Sequence, residues 1–469
     1  MNQKWTLHVE NFARIEKADI EILPLMCFIG DNNSGKSYIM TLLWGIMSNE
    51  DFFFHQENSP ENEELESYKT CKKFFLTHLD EEVSIDNETT QTFLVFFNDL
   101  LNIRKEDLIR RIFNHNIAIG KLEIRNFVRS KNLLVRIKRS KKKSQLHLER
   151  QLTAELNISN DPNGNYEPDN DQIGIDFPLD DKYLEIALWR ASIHVVFNLL
   201  MLDWLIVPKS ITETMPVYLP VSRTGFLLTY PQIASSSVRT VFSSDTKLQT
   251  WQGSLTLPYI KFLQLLIELS DSDSSTNDRY KNLINFINSE ILHGTVTVKD
   301  DGKVIRYLAS DMKEELPLSV TSSVVTELAS LLLLLTTKIP LRLVIIEEPE
   351  AHLHPALQKK IAQLLIRFVH SGIPVWITTH SDTILHHFNN MIKLNALPED
   401  DKDILIKEYS YTKDDLIDPS EVNLYQFERS TSHTTITKLS SGKYGFTASS
   451  FNKAIDDLTR EIFAFQEDD

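Results

Sequence analysis

The stretch Gly30–Ser37, GDNNSGKS, follows an apolar run and precedes a helix-patterned segment, SYIMTLLWGIM. It fits the pattern G-x-x-x-x-G-K-[ST], in which glycines let the backbone curl so that successive N–H groups point at phosphate oxygens. The start of the following helix adds partial positive charge. The residues that we predict to form this phosphate cradle are Gly30, Asn32, Asn33, Ser34, Gly35, Lys36 and Ser37. Lys36 would reach the β- and γ-phosphates, and the Ser37 hydroxyl would bind Mg²⁺.

Two acidic residues end a second apolar run, Leu343–Ile346, in the stretch LVIIEEPE. A continuous apolar run is typical of a central parallel strand, and ligands bind outside the carboxyl ends of such strands. We therefore predict that Glu347 holds Mg²⁺ through water and that Glu348 orients or deprotonates an attacking water. The alternative is an acidic helix cap before Pro349.

A third apolar run, VWITTH, ends in His380. A histidine at the carboxyl edge of a sheet is able to hydrogen-bond a γ-phosphate or the nucleophilic water, although a lone histidine there is more often structural. Because the two motifs above precede it in this order, we interpret His380 as functional. Lys36, Glu348 and His380 are the predicted catalytic residues.

Strands alternate with helices through much of the chain, which predicts an α/β fold with a mixed, mostly parallel sheet and helices on both faces. The pattern changes between about residues 50 and 216, where acid-rich helical stretches precede a basic segment. We interpret residues 1–50 and 217–469 as two parts of one head. Residues 51–216 would be an insertion, helical with a basic β-ribbon at 121–150.

Composition places the 469-residue chain among soluble globular proteins, with 42% hydrophobic and 24% charged residues. Its apolar stretches are too short to span a bilayer, and its two cysteines make no disulfide framework. We expect a cytoplasmic protein with no membrane partner. The net charge of −16 argues against general coating of nucleic acid.

The basic segment 121–150 contains eleven Lys or Arg residues against two Glu. Its runs LEIRNFVR and LLVRIKR alternate apolar and polar residues, which is typical of an antiparallel ribbon with a solvated face. The alternative is a strip that binds DNA or an acidic protein. The pattern alone leaves both interpretations open.

Four motifs in sequence order, the Walker A loop, LSVTSSVVTEL, IIEEPEAHLHP and ITTHS, resemble those of the ABC-class ATPase heads of the RecF, SMC and OLD group. The resemblance implies an ABC-type P-loop head that binds ATP and Mg²⁺ at interfaces of a homo-oligomer, a dimer or larger. In such heads the signature motif of one subunit closes over the nucleotide of another. The equivalent here is Thr321–Val324, where Ser322 or Ser323 would point a hydroxyl at the γ-phosphate. Relatives carry glycine where Val324 stands.

The stretch EAHLHP resembles the segment that crosses the dimer interface in these heads. An alternative is a metal site made by Glu350, His352 and His354, but no cysteine or third histidine lies nearby in the sequence. We therefore favour the interface. Arg223, in YLPVSR, also resembles a residue of such ATPases and receives no assigned role.

The segments around these motifs narrow the resemblance. About 90 residues follow ITTHS without an acidic cluster resembling the Toprim nuclease of OLD proteins, and residues 51–216 lack sustained heptads. The chain thus resembles the ATPase subunits of bacterial antiphage systems such as PARIS, Septu and some retrons. This implies an ATP-hydrolysing oligomeric switch that senses a phage component and controls a separate nuclease or toxin. The alternatives are a RecF- or SMC-like repair or recombination ATPase acting on DNA directly, and a non-catalytic ATP-dependent scaffold.

Overall fold

The computed structural model describes most of the chain. The described residues are 3–54, 65–129, 132–140, 170–201, 215–229, 255–270, 278–299, 304–336, 341–441, 445–447, 459–461 and 463–465. Three further expectations from the sequence fall wholly or partly outside them. The basic run 141–150 is one, and the turn at 300–302 of the hairpin predicted for HGTVTVKDDGKVIRYLA is another. The third is the apolar face, Phe451, Ile455, Leu458 and Ile462, of a predicted amphipathic helix near the C-terminal residue.

Fifteen strands are described. In chain order they are β1 Lys4–Phe12, β2 Ile15–Ile22, β3 Leu25–Gly30, β4 Glu82–Ile85, β5 Lys121–Val128, β6 Asn132–Ser140, β7 Asn170–Pro178, β8 Met215–Leu219, β9 Gly294–Lys299, β10 Val304–Ala309, β11 Leu316–Pro317, β12 Leu341–Glu347, β13 Val375–Thr379, β14 Val422–Arg429 and β15 Thr434–Leu439.

Eleven α-helices accompany the strands within the described ranges. They are α1 Lys36–Ser48, α2 Glu50–Phe54, α3 Glu66–Thr77, α4 Asn87–Phe113, α5 Asp181–Met201, α6 Leu257–Ser270, α7 Lys281–Phe286, α8 Ser323–Leu335, α9 Pro355–His370, α10 Asp382–Asn395 and α11 Glu399–Glu408. Ile287–Leu292 continues α7 as a π-helix. No helix in the described ranges has both the length and the apolar character needed to cross a membrane.

Nine strands form one mixed sheet in the order β5-β1-β2-β15-β14-β3-β13-β12-β8. From β14 to β8 every neighbouring pair is parallel, while β1 is antiparallel to both β5 and β2. All residues of β3 and of β13 are buried, as expected for strands covered on both faces. The predicted α/β class with a mostly parallel sheet is confirmed.

The two faces of the sheet carry separate hydrophobic cores. Because side chains alternate along a strand, Met26 and Phe28 of β3 enter one core, while Leu25, Cys27 and Ile29 enter the other. Helices α1, α4 and α5 contribute to the first core, and helices α8, α9 and α10 contribute to the second. Helices on both faces, as predicted, therefore hold the central strands in place.

The register of the central strands brings three predicted motifs to one edge of the sheet. β13 lies between β3 and β12, and it pairs Thr379 with Ile29 and Thr378 with Glu347. The residues that follow these pairs, Gly30, His380 and Glu348, consequently end neighbouring strands at the same level. This edge is where ligands bind in open parallel sheets.

The two runs predicted to form one basic ribbon lie in different sheets, which corrects that prediction. β5 pairs antiparallel with β1 at the end of the main sheet, and Leu122 and Ile124 enter the first core. β6 pairs antiparallel with β4 and parallel with β7 in a three-stranded sheet. The alternating apolar and polar pattern identified both runs as strands but could not specify their partners. Each run forms its backbone hydrogen bonds, and packs its apolar side chains, with elements other than the neighbouring run.

Candidate functional site

A cavity of about 490 Å³ opens at the carboxyl edge of β3. This volume is within the range of roughly 300–1,000 Å³ that is usual for ligand sites. The residues that line it are Ala13, Arg14, Ile15, Asn32, Asn33, Ser34, Gly35, Lys36, Ser37, Tyr38, Glu348, Thr378, His380 and Arg429. The cavity therefore gathers most of the predicted loop with the two predicted catalytic residues from β12 and β13.

The loop between β3 and α1 has the curled backbone that its glycines allow. Gly30 has φ 130°, and a Cβ there would lie 2.1 Å from the carbonyl oxygen of Phe427 on β14. Gly35 has φ 95° and Asn33 has φ 58°, conformations that glycine and asparagine tolerate best. The Ser34 hydroxyl is buried at this loop with no hydrogen-bond partner among the described residues. Such an orphaned donor fits an anionic ligand in the curl of the loop.

Lys36, the first residue of α1, is buried and turned back onto the loop. Its Nζ donates to the carbonyl oxygens of Gly30 at 2.9 Å and Asp31 at 2.8 Å. An ammonium has three N–H groups, so one remains for a ligand in the cavity. Burial lowers the pKa of Lys36 to about 8, against the opposing effect of Glu348. Lys36 is therefore mostly protonated at neutral pH.

Glu348 and His380 face each other across the cavity edge. The His380 Nε2 lies 3.7 Å from the Glu348 carboxylate, and both side chains are partly exposed. Glu348 has φ 44°, and its N–H donates to the carbonyl oxygen of Thr378 at 2.9 Å, which fixes the turn after β12. Burial and the nearby Lys36 lower the pKa of His380. A neutral imidazole beside a carboxylate is suited to exchanging hydrogen bonds with a phosphate or a water.

Glu347 lies at the same edge but is not among the lining residues of the cavity. Its carboxylate is buried and accepts a hydrogen bond from the Val221 N–H at 3.2 Å, next to the end of β8. Burial, with the Glu347 charge as a smaller cause, raises the pKa of the Tyr218 hydroxyl on β8. The structure thus separates the two adjacent acids. Glu348 faces the cavity and Glu347 lies behind it, while Ser37 is on the lining.

Arg223, which the sequence left without a role, is buried behind Glu348. Its guanidinium donates to the carbonyl oxygens of Glu347 at 2.7 Å and Glu348 at 3.1 Å. It also pairs with the buried carboxylate of Glu327 on α8 at 2.8 Å. Burial lowers the pKa of Arg223, and the Glu327 charge opposes this. Arg223 therefore connects the turn that carries Glu348 to α8.

Glu350 is a second residue whose role in the site the sequence did not predict. One carboxylate oxygen accepts hydrogen bonds from the Thr379 hydroxyl and the His380 N–H, both at 2.6 Å. Burial raises the pKa of this carboxyl group above its usual range. Glu350 thus fixes the backbone at His380. The only sequence signal was its place in the acidic run EEPE.

Ser322 and Ser323 lie at the start of α8 and not on the cavity lining. The Ser323 hydroxyl donates to the carbonyl oxygen of His352 at 3.4 Å, so the signature-like segment contacts the stretch EAHLHP. The exposed His352 ring lies 3.9 Å from Glu327, whereas His354 caps α9 by accepting from the Ala356 N–H. Within the described ranges, no group of three or more His, Cys, Asp or Glu side chains could hold a metal ion.

Two arginines complete the lining and were not predicted. Arg14 lies in the turn between β1 and β2, and Arg429 ends β14. Both adjoin Thr434, whose N–H donates to the Arg14 carbonyl oxygen and which is the register partner of Arg429. Isolated arginines give no sequence signal, because only the sheet order places these two beside the loop. Together with Lys36 they make the cavity suited to a multiply charged anion.

The family profile described as AAA ATPase domain (AAA_15) matches residues 5–176 and 242–385, more than half of the chain. No curated protein matches the sequence significantly. Solved structures that are similar to this chain include the SMC head domain from Thermotoga maritima. The identity is 9% and the TM-score is 0.35, and the match covers 94% of this chain and 100% of that chain. Another is an Smc head with an extended coiled coil bound to the C-terminal domain of ScpA derived from Pyrococcus furiosus, at 10% identity, TM-score 0.35 and coverage of 97% and 98%. By the extent of the profile match, the chain belongs to the AAA ATPase domain family.

Proposed function

We propose that this protein binds and hydrolyses ATP with Mg²⁺, and that a second copy of the chain completes the site. The observation that carries the proposal is the convergence of the Lys36 loop, Glu348 and His380 on one cavity. These residues follow three neighbouring strands of the sheet, and β3 is far from β12 and β13 in the sequence. A phosphate cradle with its lysine and a residue that orients the attacking water are recurring parts of sites for phosphoryl transfer. A neutral histidine is able to hydrogen-bond the phosphate or the water.

The lining residues would divide the work of hydrolysis. The N–H groups of the loop, the Ser34 hydroxyl and Lys36 would hold the phosphates and neutralise charge that grows during transfer. Glu348 would accept a hydrogen bond from the attacking water, and His380 would hydrogen-bond the water or the γ-phosphate. Mg²⁺, held by Ser37 and through water by Glu347, would add charge neutralisation when bound.

The position of Ser322 and Ser323 supports the role of a second copy. They form the exposed start of α8, away from the cavity of their own subunit, so they are available to the nucleotide of another. The uncapped N–H groups at this helix start would then meet the γ-phosphate. ATP would hold two subunits together, and hydrolysis would release or rearrange them.

Hydrolysis assays with three variants test the proposal. Lys36→Ala should abolish ATP binding, because it removes the buried ammonium. Glu348→Gln should retain ATP binding but lose at least about 100-fold in kcat, in line with the loss of a general base. Asp382→Asn, at the start of α10, serves as a control and should hydrolyse ATP normally. Wild-type protein that binds no ATP would contradict the proposal, whereas an active Glu348→Gln enzyme would refute only the assignment of the base.

At the level of physiology, we propose that the switch acts in antiphage defence and controls a separate nuclease or toxin subunit. The motif resemblance described under Sequence analysis supports this role. Phage-plating assays with the neighbouring genes test it. Protection should require Lys36 and the effector together. Protection by the ATPase alone would contradict the effector partnership, and no protection in any combination would contradict the defence role.

A role in direct DNA binding would place DNA on the basic segment. Within the described part of that segment, Lys121 and Arg125 both pair with Glu123, and Arg136 pairs with Glu82. These pairs reduce the positive field of the two strands. DNA binding would therefore depend on Lys141, Lys142 and Lys143, and reversing their charge should weaken it most at low salt. ATPase activity stimulated by DNA ends without any partner would favour the repair alternative.

A further inference from the structure

The cavity continues past the phosphate-binding loop toward the turn between β1 and β2. On one side of β3 lies β13, which leads to His380, and beyond it β12, which leads to Glu348. On the other side lie β14 and β15, and β15 is followed in the sheet by β2. Glu348 and His380, the residues proposed to act at the γ-phosphate, lie on the first side. The opposite end of a bound nucleotide must therefore lie on the second side, where Arg14, Tyr38 and Arg429 line the cavity.

Tyr38 is the one Phe, Tyr or Trp side chain on the described lining of the cavity. It follows Ser37 directly and is 42% exposed, although it belongs to a helix with a mostly buried surface. Its ring stacks on Phe113 at the end of α4, with centroids 5.5 Å apart and an interplanar angle of 20°. The ring is thus held flat against a backing side chain.

Tyr38, Phe113 and Phe12 form a cluster of three rings, and the position of Phe12 shows which face of Tyr38 is open. Phe12 lies edge-on to both rings, with its centroid 6.0 Å from Tyr38 and 5.8 Å from Phe113. If Phe12 covered the far face of Tyr38, it would be much further from Phe113 than from Tyr38. The nearly equal distances place Phe12 beside the stacked pair. The face of Tyr38 that turns away from Phe113 therefore carries no ring from this cluster.

The structure assigns to Tyr38 the platform on which the base of the bound nucleoside triphosphate stacks, with Phe113 as its support. This inference rests on the proposed function and adds the residue that binds the nucleoside. A planar aromatic face contributes about tenfold or more to the affinity for a stacked base and accepts any base. The phosphates would be bound by the loop, and the base would be bound independently of them by Tyr38.

Two titrations with different probes test this assignment. Affinity is measured for ATP and for inorganic tripolyphosphate, both with Mg²⁺, because tripolyphosphate carries the phosphates without a base. Tyr38→Ala should weaken ATP binding about tenfold and leave tripolyphosphate binding unchanged, while Tyr38→Phe should retain both affinities. Tyr38→Leu, which keeps apolar volume against Phe113, should reproduce the loss of ATP affinity with a thermal midpoint near that of the wild type. Tyr409→Ala is the matched control, since Tyr409 is exposed and stacks on Tyr411 outside the cavity lining.

The outcomes separate this assignment from the proposed function. If Tyr38→Ala and Tyr38→Leu bind ATP as well as the wild type does, the platform is refuted while ATP binding stands. Equal losses for ATP and tripolyphosphate would refute it too, because they would show a disturbed phosphate loop. Wild-type protein that binds neither probe would refute the proposed function and this inference with it.

Discussion

Single residues of the site differ in how far the sequence could identify them. Lys36, Glu348 and His380 could be predicted because each follows an apolar run that marks a strand end. Arg223 and Glu350 could not, because their partners are backbone atoms or side chains from other elements. The cavity role of Arg429 likewise depends on sheet order. The motifs therefore identify groups that line the cavity, while the groups that position them require the three-dimensional structure.

The lowered pKa of Lys36 gives a prediction about pH. Burial brings the pKa to about 8, so the free protein loses the ammonium charge as pH rises through this value. Only the charged form binds phosphate well, and ATP affinity should therefore fall above about pH 8, with net proton uptake on binding near that pH. Calorimetry in buffers of different ionisation enthalpy measures the uptake. Lys36→Arg stays charged throughout and should show none. Uptake that persists in this variant would assign the proton to another group.

Glu350 gives a second prediction at this scale. Glu350→Ala leaves the His380 N–H and the Thr379 hydroxyl without their acceptor, so it should cost about 2 kcal/mol of unfolding free energy and lower kcat. Glu350→Gln retains an acceptor and removes a buried charge whose pKa is raised by that burial. It should be at least as stable as the wild type at pH 7. Because Glu350 is not on the lining of the cavity, the dissociation constant for ATP should stay the same in both variants. Denaturation at pH 7 and steady-state kinetics provide both readouts.

At the scale of elements, the sequence predicted the central strands and the helices after them with few errors. β3, β12 and β13 were recognisable because each is an apolar run followed by a helix with a different period. β5 and β6 were recognised as strands but assigned to one ribbon. Pairing depends on which backbone groups meet in space, and an alternating pattern carries no information about that. The same limit applies to the ion pair between Arg223 and Glu327.

This ion pair gives a prediction about the connection between α8 and the turn after β12. Arg223→Ala leaves the Glu327 carboxylate buried without its counter-charge, so unfolding free energy should drop by about 3–5 kcal/mol. The double variant Arg223→Met with Glu327→Leu removes both charges and should recover most of that loss. Urea denaturation of Arg223→Met, Glu327→Leu and the double variant gives the coupling energy. If the double variant loses as much as the sum of the single ones, the two side chains act independently.

At the scale of the whole molecule, the sequence placed the site at one sheet edge because three motifs ended three strands. The sequence could not predict the full order of the nine strands, because β14 and β15 come from near the end of the chain and lie between β2 and β3. The proposed division into 1–50, 51–216 and 217–469 remains a prediction. The AAA ATPase profile nonetheless extends through residue 176, so much of the middle segment belongs to the family match.

The proposed ATP-dependent association of subunits gives a prediction for the whole molecule. Glu348→Gln should accumulate as an ATP-bound dimer or larger oligomer, because binding proceeds and hydrolysis does not. Adding Ser323→Arg should prevent that assembly and leave ATP binding by the single subunit intact, since Ser323 is outside its own cavity. Light scattering with and without ATP gives the mass, and a filter-binding assay gives occupancy. An oligomer that forms equally well with Ser323→Arg would place the contact elsewhere.

β5 is the edge strand of the main sheet and pairs with the outer edge of β1. Its residues belong to the middle segment of the chain. A shortened chain that joined residues 1–50 directly to 217–469 would leave β1 with a row of unpaired backbone groups. Such an open edge recruits strands from other molecules and favours insoluble aggregates. Anyone seeking a minimal catalytic fragment would therefore need to retain the stretch up to Val128, whatever the rest of that segment does.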